Sequence, residues 1–119
     1  MSSRLAWIIS IAIFVLITIG TLTPLIEPPK RPEISSDKLH HLVAFWALVI
    51  PLCYFRLRNA IWVLPAAIIY GLLIEIIQPM VGRQGEYLDF LADALGAILG
   101  YVTAFLGVTI RNSRSATKS

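Results

Sequence analysis

Four long apolar segments, separated by short polar connections, limit what this chain can fold into. They cover about residues 5–22, 39–55, 60–78 and 88–110. Each is 17 to 23 residues long, which suits a bilayer hydrocarbon core of roughly 30 Å at about 1.5 Å of helix rise per residue. Only 14% of the 119 residues are charged, against roughly 25% in soluble domains. The sequence therefore predicts an all-α, four-helix transmembrane bundle with short loops, a single membrane domain over 1–119.

The basic residues predict that both termini face the cytoplasm. With four spans, the termini and the 56–59 turn share one side, which carries six Lys and Arg residues against four on the other. Such residues concentrate in cytoplasmic loops. All seven acidic residues lie in the loops of the other side or near the helix ends that border it. We therefore expect an N-in/C-in topology in the lipid bilayer.

The sequence argues against nucleic-acid binding, against a disulfide within the chain and against a cleaved signal peptide. The basic residues form no clustered patch with interleaved aromatic residues, so we expect no nucleic-acid partner. Cys53 is the single cysteine and makes no intrachain disulfide. The first apolar segment exceeds the 7–15 residues of a signal-peptide core, so we expect it to remain as a helix.

Polar residues that membrane helices rarely carry occur where three of the helices meet the outer side. A charge near the bilayer centre costs about 2.5–3.5 kcal/mol on insertion scales. Helix two enters from the outer side, helix three ends there and helix four re-enters there, so these residues share one depth near the outer interface. The candidate site residues are Asp37, Lys38, His41, Glu75, Gln78, Arg83, Asp89 and Asp93.

Helix four carries a stripe of polar and then small residues on one face. Steps of four and three residues place these positions on one side of a helix, and the 96–100 pair has the GxxxG spacing that lets a neighbouring membrane helix approach closely. The stripe consists of Asp89, Asp93, Gly96, Gly100, Thr103 and Gly107. We expect Gly96, Gly100 and Gly107 to pack against another helix, and the opposite face to contact lipid.

The polar residues also admit plainer interpretations. Asp37 and Asp89 would each serve as a helix N-cap, and Lys38 would extend to the interface. Glu75 and Asp93 would belong to a structural network with Arg83, Gln78 and His41. These alternatives stay open at the level of sequence.

Charge balance narrows the chemistry of the candidate site. Four carboxylates face Lys38 and Arg83, so the excess requires a protonated carboxyl, a charged His41, a bound cation or a cationic ligand. Carboxylates with one histidine suit a divalent cation, and they equally suit general acid–base catalysis. Glu75, His41 and Asp89 are the catalytic candidates, and the cofactor, the oligomeric state and whether the chain is an enzyme are left open.

Three ordered motifs resemble those of the VanZ-like family of bacterial integral membrane proteins. They are DKLHH at 37–41 followed by Phe45, EIIQ at 75–78, and GRQGEYLDFLADALGAILG at 82–100. The matching histidine is His41 rather than His40. Asp93 departs from the asparagine that is common in the family. The resemblance covers about residues 20–105.

This resemblance implies a role in the bacterial cell envelope, in the cytoplasmic membrane, but no reaction. The family takes its name from a protein associated with resistance to the glycopeptide antibiotic teicoplanin. We therefore expect the polar cluster to bind or modify a lipid-linked envelope precursor or a cationic ligand. The alternatives are a small proton-coupled exporter, although helix one lacks the charge such exporters carry there, and a structural or accessory membrane subunit.

Overall fold

The structure, a computed structural model, describes residues 2–23, 36–82 and 87–118, and every regular element within these ranges is helical. This confirms the predicted all-α class and the four long helices. The short turns 57–59 and 78–81 are 3-10 helices. The long helices are α1 (Ser3–Leu22), α2 (Ser36–Phe55), α3 (Ala60–Ile77) and α4 (Tyr87–Lys118).

The observed helix ends agree with the apolar segments except at the C-terminus. α4 continues to Lys118, eight residues past the predicted end at 110. The segment after Gly107 contains neither glycine nor proline, and these are the residues that usually end a helix. The polar residues 111–118 therefore extend α4 by about two turns.

The outward surface of the bundle is apolar. Large side chains such as Leu16, Ile61 and Ile69 are exposed, and only 17–33% of the residues in the apolar windows of the helices are buried. Contiguous apolar surface on this scale is rare on soluble monomers. All four helices are long and apolar enough to cross a membrane, which is the architecture of a multi-pass membrane protein.

The predicted lipid-facing side of α4 belongs to this apolar surface. Its large side chains are 42–49% exposed, as expected for residues that point away from the neighbouring helices. These residues are Leu91, Leu95, Ile98, Val102 and Phe105.

α2 and α4 form the closest helix pair, because glycines of α4 lie directly against the α2 backbone. A methyl group added to Gly96 would overlap the Leu42 carbonyl oxygen, and one added to Gly100 would lie 2.6 Å from the Trp46 carbonyl oxygen. Lower on the same face, Trp46 Nε1 donates a hydrogen bond to Thr103 Oγ1 at 2.9 Å. The small-residue stripe therefore lies in the α2–α4 interface, and the two helices run parallel.

α1 and α3 are attached to this pair by apolar packing and by a few hydrogen bonds between helices. Ser10 Oγ of α1 donates to the Leu48 carbonyl of α2 at 3.1 Å. The hydroxyls of Thr18 and Tyr70 join α1 to α3. In a bilayer these bonds satisfy polar groups that lipid cannot satisfy.

We predict that Gly96→Ala lowers the free energy of unfolding by about 1–3 kcal/mol, because the added methyl overlaps the α2 backbone and forces the helices apart. The measurement is denaturant unfolding of the purified protein in detergent. Gly20→Ala is the matched control, since nothing lies within 4 Å of its added methyl. That variant should gain about 0.5–1 kcal/mol from helix propensity. Equal stability of the two variants would contradict the close approach of α2 and α4.

Candidate functional site

A buried histidine–aspartate pair joins α2 to α4 at the upper end of the glycine stripe. His41 Nδ1 lies 2.8 Å from Asp93 Oδ1, across 52 positions of sequence. His41 is 7% exposed and Asp93 is fully buried. A buried polar pair of this kind is costly to place in a membrane helix bundle, and such residues usually mark functional sites.

Gly71 of α3 provides the space for the Asp93 carboxylate. A methyl group at Gly71 would lie 3.1 Å from both Cβ and Oδ2 of Asp93. Gly71 is six residues before the end of α3 at Ile77, which at 1.5 Å per residue is about 9 Å along the helix. The pair therefore lies deeper in the bundle than the helix ends.

Asp89 occupies the other side of the His41 ring. Its Oδ2 is 3.9 Å from His41 Nε2, and its Oδ1 is 3.6 Å from Lys38 Nζ. Asp89 is fully buried and lies in the first turn of α4, where the helix dipole favours a carboxylate. Each ring nitrogen of His41 therefore faces a different carboxylate.

Glu75 brings α3 into the same place. Its carboxylate offers an oxygen that lies, together with ligand atoms of His41 and Asp93, in a group whose members are all within 4.8 Å of one another. Glu75 is half-buried. We refer to the five residues that converge here from α2, α3 and α4 as the His41 cluster: Lys38, His41, Glu75, Asp89 and Asp93.

Gln78 is buried at the start of the 3-10 helix that directly follows α3, three residues after Glu75, and it contacts α1. Its Nε2 donates to the Thr21 carbonyl at 3.1 Å, and the side chain is 2% exposed. Its Oε1 has no hydrogen-bond partner among the described residues. The described hydrogen bond of Gln78 therefore connects it to α1, not to His41 or Asp93.

The remaining sequence candidates divide into two groups. Arg83 lies outside the described residues, as does the side chain of Asp37. Gly96, Gly100 and Gly107 lie along the α2–α4 interface below the cluster, with Gly107 against the Tyr54 ring. His40, adjacent to the cluster in sequence, is exposed.

Gly71 is the site residue that sequence reasoning missed. Its signal was present, since Gly71, Glu75 and Gln78 follow steps of four and three and so share one face of the helix that the sequence predicts over 60–78. A glycine on the same face as two polar residues indicates that another group must approach the helix there. In the structure that group is Asp93.

The His41 cluster is suited to holding positive charge. Among its described side chains three carboxylates surround one lysine and one imidazole, in surroundings where charges interact more strongly than in water. An imidazole with two carboxylates provides three ligand atoms for a metal ion. The same groups also provide an acid–base pair within hydrogen-bonding distance.

Comparisons with known proteins identify no relative of this chain. The scan of protein-family models, the search of curated proteins and the search of solved structures each find no match for the chain.

We predict that His41 and Asp93 are energetically coupled. In a double-mutant cycle of His41→Gln and Asp93→Asn, the coupling energy should be about 1–3 kcal/mol, because each residue is the other's buried partner. Unfolding in detergent by denaturant titration measures it. The control cycle pairs His40→Gln with Asp93→Asn and should be additive within about 0.5 kcal/mol. Additivity in both cycles would show that the His41–Asp93 contact contributes nothing specific.

Proposed function

We propose that this chain is a multi-pass protein of the bacterial cytoplasmic membrane that binds a cationic ligand in the His41 cluster. The observation that supports it best is the convergence of Glu75, Asp89 and Asp93, from two helices, around one buried histidine of a third. Carboxylates at this depth are costly for a bundle to maintain. A bound cation offsets that cost.

The ligand chemistry follows from the charges. A metal ion or an amino group supplies positive charge, and an amino group on a lipid-linked envelope precursor would reach the cluster from the bilayer. Lys38 pairs with Asp89 at 3.6 Å. Ligand atoms of His41, Glu75 and Asp93 all lie within 4.8 Å of one another, so we assign contact with the ligand to these three residues. Glu75 is the half-buried member of this set, so we assign it the first contact with an incoming ligand.

The VanZ-like resemblance supports placing this function in the cell envelope. Each of the three motifs contributes to the cluster: the first His41, the second Glu75, and the third Asp89 and Asp93. Residues that are distant in sequence but joined in one buried site are typical of a functional constellation. The corresponding proposal is a contribution to teicoplanin resistance through an envelope component.

We further propose that the end of the bundle opposite the cluster faces the cytoplasm. Trp7 of α1 stacks on Trp62 of α3 at this end, with ring centroids 5.5 Å apart. Arg111 lies over the Tyr54 ring at 5.0 Å from its centroid. Aromatic side chains are typical of a membrane interface on either side, and basic side chains beyond it are typical of the cytoplasmic one.

In a bacterial host, a green fluorescent protein fused to the C-terminus should fluoresce, and alkaline phosphatase fused there should be inactive. This outcome follows because the first folds in the cytoplasm and the second requires export. The control is the same pair of reporters fused after Gly82, in the connection between α3 and α4, where the two readouts should be reversed. Active phosphatase on the C-terminus would contradict the topology.

We predict that Glu75→Gln abolishes function without loss of stability. Wild-type chain expressed in a teicoplanin-sensitive bacterium should raise the inhibitory concentration of teicoplanin, and the variant should not. The purified variant should match the wild type or gain about 0.5–2 kcal/mol of unfolding free energy, because replacing a half-buried carboxylate that is kept for ligand binding relieves a stability liability. Gly20→Ala is the control and should retain the resistance.

Two results would decide against the proposal. If Glu75→Gln retains full resistance, the cluster does not serve the envelope function. If Glu75→Gln unfolds markedly more readily than the wild type, the cluster is a structural network, as expected for an accessory subunit.

A further inference from the structure

We infer that His41, Glu75 and Asp93 bind one divalent ion of the first transition row, of the Zn²⁺ or Mn²⁺ class, and that Asp89 orients His41 for it. The inference deepens the proposed function and rests on it, since the metal ion is then the cationic ligand. It also assigns each residue of the His41 cluster a distinct role. Three residues bind the ion, Asp89 positions the imidazole, and Lys38 holds Asp89.

The geometry of the three ligand atoms fits such an ion after a small movement. Ligands bound to Zn²⁺ at about 2.0–2.2 Å lie roughly 3–3.5 Å apart. His41 Nδ1 and Asp93 Oδ1 are already 2.8 Å apart, and the ligand atoms of all three residues are within 4.8 Å of one another. Closure therefore requires that the half-buried Glu75 side chain move inward and that His41 Nδ1 and Asp93 Oδ1 separate by a few tenths of an ångström. The ion then replaces the proton between His41 and Asp93, which is released to solvent.

The second ring nitrogen of His41 has a carboxylate near it, as a histidine that ligates a metal usually does. A histidine that ligates a metal usually gives its other ring N–H to a carboxylate, which sets the tautomer and the ring orientation. His41 Nε2 lies 3.9 Å from Asp89 Oδ2, and Asp89 Oδ1 lies 3.6 Å from Lys38 Nζ. Asp89 would therefore have to move closer by about 1 Å to accept the ring N–H. Lys38, Asp89 and His41 thus follow one another in the order in which a metal-ligating histidine is usually supported.

The donor set selects the class of ion. An imidazole nitrogen favours a first-row transition ion over Mg²⁺ or Ca²⁺. Two carboxylate ligands suit Mn²⁺ as well as Zn²⁺. A divalent ion also offsets the negative charge of Glu75 and Asp93, the two carboxylates that would bind it, which favours binding in low-dielectric surroundings.

Three protein ligands leave a position on the ion for a water molecule or a ligand group. Structural zinc sites are usually closed by four protein ligands, whereas open three-ligand sites bind and activate other molecules. The site is therefore suited to holding an oxygen of an envelope component, brought to it by the bilayer.

The test measures metal binding by the full-length protein in detergent micelles. After removal of metal by a chelator, the protein is dialysed against ZnCl₂, MnCl₂ or MgCl₂, and the bound metal is counted by mass spectrometry. We expect one Zn²⁺ or Mn²⁺ per chain, no retained Mg²⁺, and a higher melting temperature with the ion. Co²⁺ substituted for the ion should show a d–d spectrum that His41→Gln removes.

The variants separate binding from positioning. His41→Gln, Glu75→Gln and Asp93→Asn should each weaken binding by more than about 100-fold, because each removes a ligand. Asp89→Asn should weaken it by about 10–100-fold and keep one ion per chain, as expected for a residue that acts through His41. His40→Gln is the matched control, since His40 is exposed, and it should bind as the wild type does. Circular dichroism of each variant confirms that it is folded.

Three outcomes would overturn the metal site: no bound transition ion in the wild type, binding that survives Glu75→Gln in folded protein, or an equal loss in His40→Gln. These failures are distinguishable from failure of the proposed function. If no metal binds but Glu75→Gln still abolishes resistance in a stable protein, the cluster binds a different cation. If both experiments fail, the cluster serves only the packing of the helices.

Discussion

The structure depends on the close parallel packing of α2 against α4. Because Gly96 and Gly100 have no side chains, the two backbones approach until a methyl group at either position would meet an α2 carbonyl. Asp93 lies one turn before Gly96 on α4, so this approach also brings its Oδ1 within 2.8 Å of His41 Nδ1. A larger residue in the stripe would push α2 and α4 apart and would therefore also separate His41 from Asp93. Packing and chemistry therefore depend on the same face of α4.

α3 completes the arrangement through a second small residue. Gly71 lets the Asp93 carboxylate lie against the α3 backbone, and Glu75, one turn further along, enters the cluster from the same face. A buried charge is tolerated in a bundle of this kind only where neighbouring polar groups replace water. Here those groups come from three helices, so no helix alone can stabilise the site. This explains why polar residues that are separate in sequence are concentrated in one place.

The apolar character of the rest of the molecule follows from its solvent. Outward side chains such as Leu16 and Ile61 are exposed, and lipid removes the penalty that water would impose on them. Association of the helices then relies on close packing and hydrogen bonds rather than on hydrophobic burial. The bonds from Ser10 to Leu48 and from Gln78 to Thr21 are examples. The polar cluster stands out against this background, which is why function is assigned to it.

The sequence alone determined the helical class, the four spans and the polar stripe of α4, because each is a property of periodicity and length within one segment. It also indicated that His41, Glu75, Asp89 and Asp93 share one end of the bundle, since connectivity alternates the ends. It missed the continuation of α4 to Lys118. The residues after 110 are mostly polar and so have no apolar periodicity, but no glycine or proline ends the helix there. Only the tertiary structure decided that His41 lies between Asp89 and Asp93, that Gly71 makes room for Asp93, and that Gln78 turns to α1. These facts depend on the rotation and separation of helices, which are set by contacts between segments and have no periodic signal in any one of them.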